Sequence, residues 1–148
     1  METYQLKTDI KTVCVSADSF PDGIPEAFER LRSLLPSPAG ERKLYGISRP
    51  DQTGKIWYKA GAEQRAEEDA GLPGLDSFVI PKGSYASILI PNYADDVQQI
   101  GKVFRQLLSN PDIDENGFCL EVYEGEKDVR CLVKLAETNT TARLTQTR

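Results

Sequence analysis

The chain has 148 residues, 39% hydrophobic and 28% charged, which fits one compact domain with a sizeable core and is unlike a disordered tail. Its net charge of -5 and isoelectric point near 4.8 argue against a nucleic-acid partner, because phosphate binding needs clustered Lys and Arg that the sequence does not offer; cations are better matched guests. Histidine is absent, which removes Ser-His-Asp and Cys-His nucleophile pairs and the commonest transition-metal ligand, so no metal or other cofactor is expected and any catalysis must run on carboxylates, tyrosines or lysines.

The opening METYQLKTDIKTV lacks the apolar core of a signal peptide, and no later run approaches a membrane span. A cytoplasmic protein without a membrane partner is the expectation. A strand is predicted from Lys11 to Ala17. A helix follows in IPEAFERLRSLLP from Ile24, with Pro25 well placed in its first turn and Pro36 as its stop. Two strands come next, Lys43 to Ser48 and Lys55 to Ala60, joined by the turn-rich Arg49-Pro50-Asp51-Gln52-Thr53-Gly54. Residues 63–77, EQRAEEDAGLPGLDS, are acidic and punctuated by Gly and Pro, and read as a solvated surface linker.

The same order then recurs. A strand from Ser84 to Ile90 leads to a second helix in IGKVFRQLLSNP from Ile100, stopped by Pro111, and strands from Phe118 to Glu124 and Val129 to Leu135 follow, joined around Gly125. Both helices carry apolar residues at i, i+3, i+4 and i+7, and Ile24, Phe28 and Leu31 of one match Ile100, Phe104 and Leu107 of the other. The fold predicted is α+β: two pseudo-symmetric β-α-β-β repeats, about 6–62 and 78–136, with antiparallel strands, both helices on one face and a ligand cleft between the repeats. Residues 137–148 have little to bury and read as a flexible tail. Cys14, Cys119 and Cys131 each sit in an apolar strand-like run and read as buried free thiols.

The strand Phe118-Cys119-Leu120-Glu121-Val122-Tyr123 carries a carboxylate at its centre. By alternation Phe118, Leu120 and Val122 share one face, expected to lie under the helices, while Cys119, Glu121 and Tyr123 share the other. Glu121 is then either a solvated strand residue paired with Lys134 or Arg130, or a cleft carboxylate that selects a cation. Candidate cleft aromatics are Tyr45, Trp57, Tyr58, Tyr85 and Tyr123. Tyr45 and Tyr123 occupy similar places in the two repeats. Only one of the adjacent Trp57 and Tyr58 can face the cleft, and Trp57 is taken as the candidate.

The chain resembles the GyrI-like small-molecule-binding family, the effector-binding module of AraC-type and MerR-type multidrug regulators, from about Leu6 to Leu135. The resemblance rests on Phe20-Pro21-Asp22-Gly23 entering the first helix, Leu44-Tyr45-Gly46, Ile80-Pro81-Lys82-Gly83-Ser84-Tyr85, and Cys119-Leu120-Glu121-Val122-Tyr123. It implies that Glu121, the glutamate of a Glu-x-Tyr strand, faces a ligand in the cleft between repeats, and that the ligand is a bulky, cationic aromatic compound. Without a helix-turn-helix ahead of the first strand, the chain would be a stand-alone binding domain for sequestering drugs or toxins or sensing an effector, with Glu121, Tyr123, Tyr45, Tyr85 and Trp57 as binding residues. Some family members resemble hydrolases of strained electrophilic rings. That alternative would make Glu121 a general base and Tyr123 or Tyr85 a proton donor. A second alternative is an inhibitor of a protein partner, which the acidic balance permits.

Overall fold

The computed structural model describes residues 2–35, 42–125 and 127–136. Pro36 and the tail 137–148 lie outside the described residues. The elements, in chain order, are strands β1 (Glu2–Leu6) and β2 (Ile10–Ser16), helix α1 (Ile24–Leu34), strands β3 (Leu44–Pro50), β4 (Ile56–Glu63), β5 (Asp76–Ile80) and β6 (Gly83–Ile90), helix α2 (Gln98–Leu108), and strands β7 (Cys119–Glu124) and β8 (Asp128–Lys134). The described strands form one antiparallel sheet in the order β1-β6-β8-β7-β3-β4-β2-β5. The α+β repeat architecture is therefore as expected, with β3 and β7 hydrogen-bonded where the two halves meet.

Two strands were not legible in the sequence. β1 precedes the first repeat but pairs with β6 of the second, and β5 precedes the second repeat but pairs with β2 of the first. The halves exchange their outer strands. The connection read as a solvated linker is also more than that: β4 runs into it as far as Glu63, a short 3-10 helix spans Glu67–Gly71, and Asp69 within it is buried against Arg42 at 2.9 Å. Asp69 also accepts the backbone amides of Arg65 and Ala66, so a carboxylate that looked like one more surface charge stitches the connection to the start of β3.

Both helices lie on one face. Ala27, Phe28 and Leu31 of α1 pack on Val13, Val15, Tyr58, Ala60 and Ala62, while Val103 and Leu107 of α2 pack on Ala86, Ile90, Val129, Cys131 and Val133. The expected facing of β7 is reversed. Leu120 and Val122 belong to a cluster without helix residues, and it is Cys119 and Tyr123 that pack on the helix side. The reason is curl. On the face away from the helices the sheet bends over its own side chains, so that Phe78 of the outer strand β5 meets Phe118 at 5.3 Å between ring centroids, and Tyr45, Ile47, Ile80, Tyr85, Leu120 and Leu132 are buried together. A face with no helix on it is thus a core, and the groove expected there is filled except for a cavity of about 30 Å³ beside Tyr45 and Tyr85.

Candidate functional site

On β7 the pleat sends Cys119, Glu121 and Tyr123 to the helix side. Glu121 stands on the seam between the halves, opposite Gly46 of β3 and Cys131 of β8. Gly46 is required there for space. A Cβ at that position would collide with the Tyr58 hydroxyl and come within 2.6 Å of Glu121 Oε1, so the missing side chain is what lets the carboxylate settle over β3.

The carboxylate is nearly enclosed, with Glu121 only 8% exposed. The Tyr58 hydroxyl donates to Oε1 at 3.0 Å and the Tyr123 hydroxyl donates to the same oxygen at 2.5 Å. Aromatic rings continue outward from these two. Tyr58 stacks on Phe20 at 6.0 Å and meets the edge of Phe28 at 6.4 Å; Phe28 meets Tyr123 at 5.7 Å, and Tyr93 meets Tyr123 at 5.5 Å. The chain Phe20, Tyr58, Phe28, Tyr123, Tyr93 draws on the loop ahead of α1, on β4, on α1, on β7 and on the short 3-10 turn after β6. Five rings from both halves therefore form one chain of contacts, in which Tyr58 and Tyr123 touch the carboxylate and Phe20, Phe28 and Tyr93 pack against those two. Beside them an open pocket of about 220 Å³ shares Phe20 and Tyr58 as walls and is completed by residues that include Trp57, Asp18 and Asp51.

Burial raises the proton affinity of the Glu121 carboxyl above the ordinary carboxylate range, and the two tyrosine hydroxyls offset this only in part. Burial, and then the charge of Glu121, push Tyr58 and Tyr123 upward as well. The same causes raise the neighbouring thiols, Cys119 to about 11 and Cys131 to about 12. Both thiols stay protonated at neutral pH; Cys131 is buried as expected, whereas Cys119 is only partly so. Arg130 and Lys134, the partners expected of a solvated Glu121, sit opposite Val122 and Tyr85 in the ladders and so point to the other face of the sheet. Arg130 is engaged there by Glu124 and Glu2.

The structure brings together two of the five predicted binding residues, Glu121 and Tyr123. Tyr45 and Tyr85 lie on the opposite face, buried inside the curl, with the Tyr85 hydroxyl donating to the Pro81 carbonyl at 2.6 Å. The correspondence of Tyr45 with Tyr123 fails for the same reason: in the β3–β7 ladder Tyr45 pairs with Val122, on the other face from Tyr123. Of the adjacent pair it is Tyr58, not Trp57, that meets Glu121; Trp57 reaches only the rim pocket. Tyr93, Phe20 and Phe28 were missed as site residues. Phe28 was visible only as part of the helix stripe, Phe20 only as part of a loop motif, and Tyr93 gave no signal. Among the described residues no group of three Cys, Asp or Glu could hold a metal, and no helix is long and apolar enough to cross a membrane.

No family model and no curated protein matches this sequence. Solved structures do. An integron cassette protein, VCH_CASS2, from the mobile metagenome of Vibrio cholerae superposes with a TM-score of 0.69 at 11% identity, over 91% of this chain and 95% of that one. The structure of SAV2435 bound to tetraphenylphosphonium gives 0.63 at 12% identity, over 94% and 95%. A hydrolase from Listeria innocua gives 0.55 at 9% identity, over 91% and 90%. The likeness is one of fold.

Proposed function

We propose that this protein is a GyrI-like effector-binding domain that takes amphipathic, cationic aromatic small molecules against the chain of rings Phe20, Tyr58, Phe28, Tyr123 and Tyr93 beside Glu121. The observation that carries this reading is the buried Glu121 carboxylate, which has two tyrosine hydroxyls for company and no cationic side chain in contact among the described residues. An unneutralised buried carboxylate is costly to keep. A ligand cation recovers that cost, and ring faces add their own attraction for it. The fold shared with SAV2435, whose structure holds tetraphenylphosphonium, supports the same ligand class here.

Titrating tetraphenylphosphonium and the neutral triphenylphosphine oxide by calorimetry tests this. The cation is expected to bind, and Glu121→Gln to weaken it by roughly 1.5 to 3 kcal/mol while the neutral compound changes little. Equal losses for both would remove charge selection from the mechanism, and no binding of the cation would overturn the proposal. A hydrolase is the second reading. It is favoured by the 2.5 Å contact between the Tyr123 hydroxyl and Glu121 and by the hydrolase among the similar structures. Ring-opened product from a strained electrophile, lost in Glu121→Gln, would move the assignment there.

A further inference from the structure

Both tyrosine hydroxyls spend their protons on one oxygen of the carboxylate. Tyr58 and Tyr123 each donate to Oε1, while Oε2 accepts no hydrogen bond from any described residue. A carboxylate can accept through both oxygens, and one whose second oxygen is idle inside a nearly closed site has that capacity left for a guest. With their hydrogens committed, the two hydroxyls also present only lone pairs to anything that enters beside them. The thiols of Cys119 and Cys131 beside Glu121 are weak donors, and the Tyr93 hydroxyl belongs to a ring that packs on Tyr123. The groups in direct contact with the carboxylate therefore have no hydrogen left to donate.

We infer that the site prefers cations bearing an N–H, such as protonated secondary or tertiary arylalkylamines and amidines, over quaternary cations of the same shape, because Oε2 is an acceptor without a hydrogen-bond partner among the described residues while Oε1 takes both tyrosine hydroxyls. The inference rests on the proposed reading of the site as a cation cage and makes it narrower. A quaternary ion such as tetraphenylphosphonium has no hydrogen to give. It would gain charge neutralisation and ring contact here but leave Oε2 without a directed partner. A protonated amine gains all three, and the charge-assisted hydrogen bond is the shorter and stronger kind. The raised proton affinity of the carboxyl agrees with this: burial leaves the charged form short of partners, and an ammonium N–H would supply one.

The test uses the wild-type protein at neutral pH and a matched pair: N,N-dimethyl(naphthylmethyl)amine, protonated under those conditions, and trimethyl(naphthylmethyl)ammonium. Calorimetry is expected to show the N–H cation binding about tenfold or more tightly. In Glu121→Gln the gap should close to less than about threefold, with circular dichroism confirming that the variant is folded. Quaternary binding as tight as, or tighter than, that of the amine in the wild type overturns the N–H preference and leaves the cation cage standing. Failure of both ions to bind overturns the cage and this inference together.

Discussion

At the scale of single residues, the site depends on a large side chain and an absent one. Glu121 and Gly46 face each other across the β3–β7 seam, where the two repeats come closest, and there is room for one carboxylate only. Glu121 has its folded-state proton affinity raised above the ordinary 4.5, so the folded protein holds that proton more tightly than the unfolded chain. The residue therefore costs stability as pH rises from about 4.5 through the folded-state value, and costs nothing well below it. Glu121→Gln is expected to stabilise the unliganded protein at pH 7, by about 1.4 kcal/mol for each tenfold change in proton affinity that burial imposes, and to make no difference near pH 3. Urea denaturation of both proteins across that range measures the effect; a gain that persists undiminished at pH 3 would contradict it. Gly46→Ala should cost about 1 to 3 kcal/mol through overpacking. The cost should shrink in a Tyr58→Phe background, where the hydroxyl that the new methyl meets is gone, and a double-mutant cycle reads the coupling directly.

The elements matter through what they borrow from each other. β1 closes the β6 edge of the opposite repeat, with Glu2 bonded to Arg130 at 3.2 Å and the Tyr4 ring 5.3 Å from the same guanidinium. Deleting residues 1–6 should lower the melting temperature by roughly 5 °C or more, although most of these residues are exposed. Little or no shift would show that β6 does not need its neighbour. In the connection between repeats, the Arg42 guanidinium holds the Asp69 carboxyl below its usual 3.8, and side-chain exposures of 2% and 3% mark the pair as buried. Its contribution is complete above that ordinary value and is lost as pH falls through the lower folded-state value. Asp69→Ala should cost about 3 kcal/mol at pH 7, because it removes the carboxylate charge that balances a buried guanidinium. The loss should narrow at strongly acid pH, which chemical denaturation at two pH values would reveal.

For the whole molecule, the exchange of outer strands means that neither repeat completes its half of the sheet alone. The chain of aromatic contacts that reaches Glu121 likewise takes Phe20, Phe28 and Tyr58 from the first half and Tyr93 and Tyr123 from the second. Unfolding should then be a single cooperative transition, with Trp57 fluorescence and far-ultraviolet circular dichroism following one curve. Separate midpoints would mean that the halves come apart as independent units.

Much of this was decided by local pattern. The period of the apolar residues determined both helices and the six strands around them, and alternation alone put Cys119, Glu121 and Tyr123 on one face of β7 and Leu120 and Val122 on the other. These follow from backbone geometry, which each segment carries with it. Which face the helices cover was beyond reach of the sequence, because both faces of β7 are apolar enough to be a core: Leu120 and Val122 are buried by the sheet curling on itself, Cys119 and Tyr123 by the helices. The strands β1 and β5 were invisible for a related reason. Their residues are mostly exposed, so they lack the apolar alternation of a half-buried strand and are held by backbone pairing to distant partners. The composition of the aromatic ring was tertiary as well. Phe20, Phe28, Tyr58, Tyr93 and Tyr123 come from five separate segments, and only the packing of two repeats across the β3–β7 seam brings them into one chain of contacts that reaches a carboxylate.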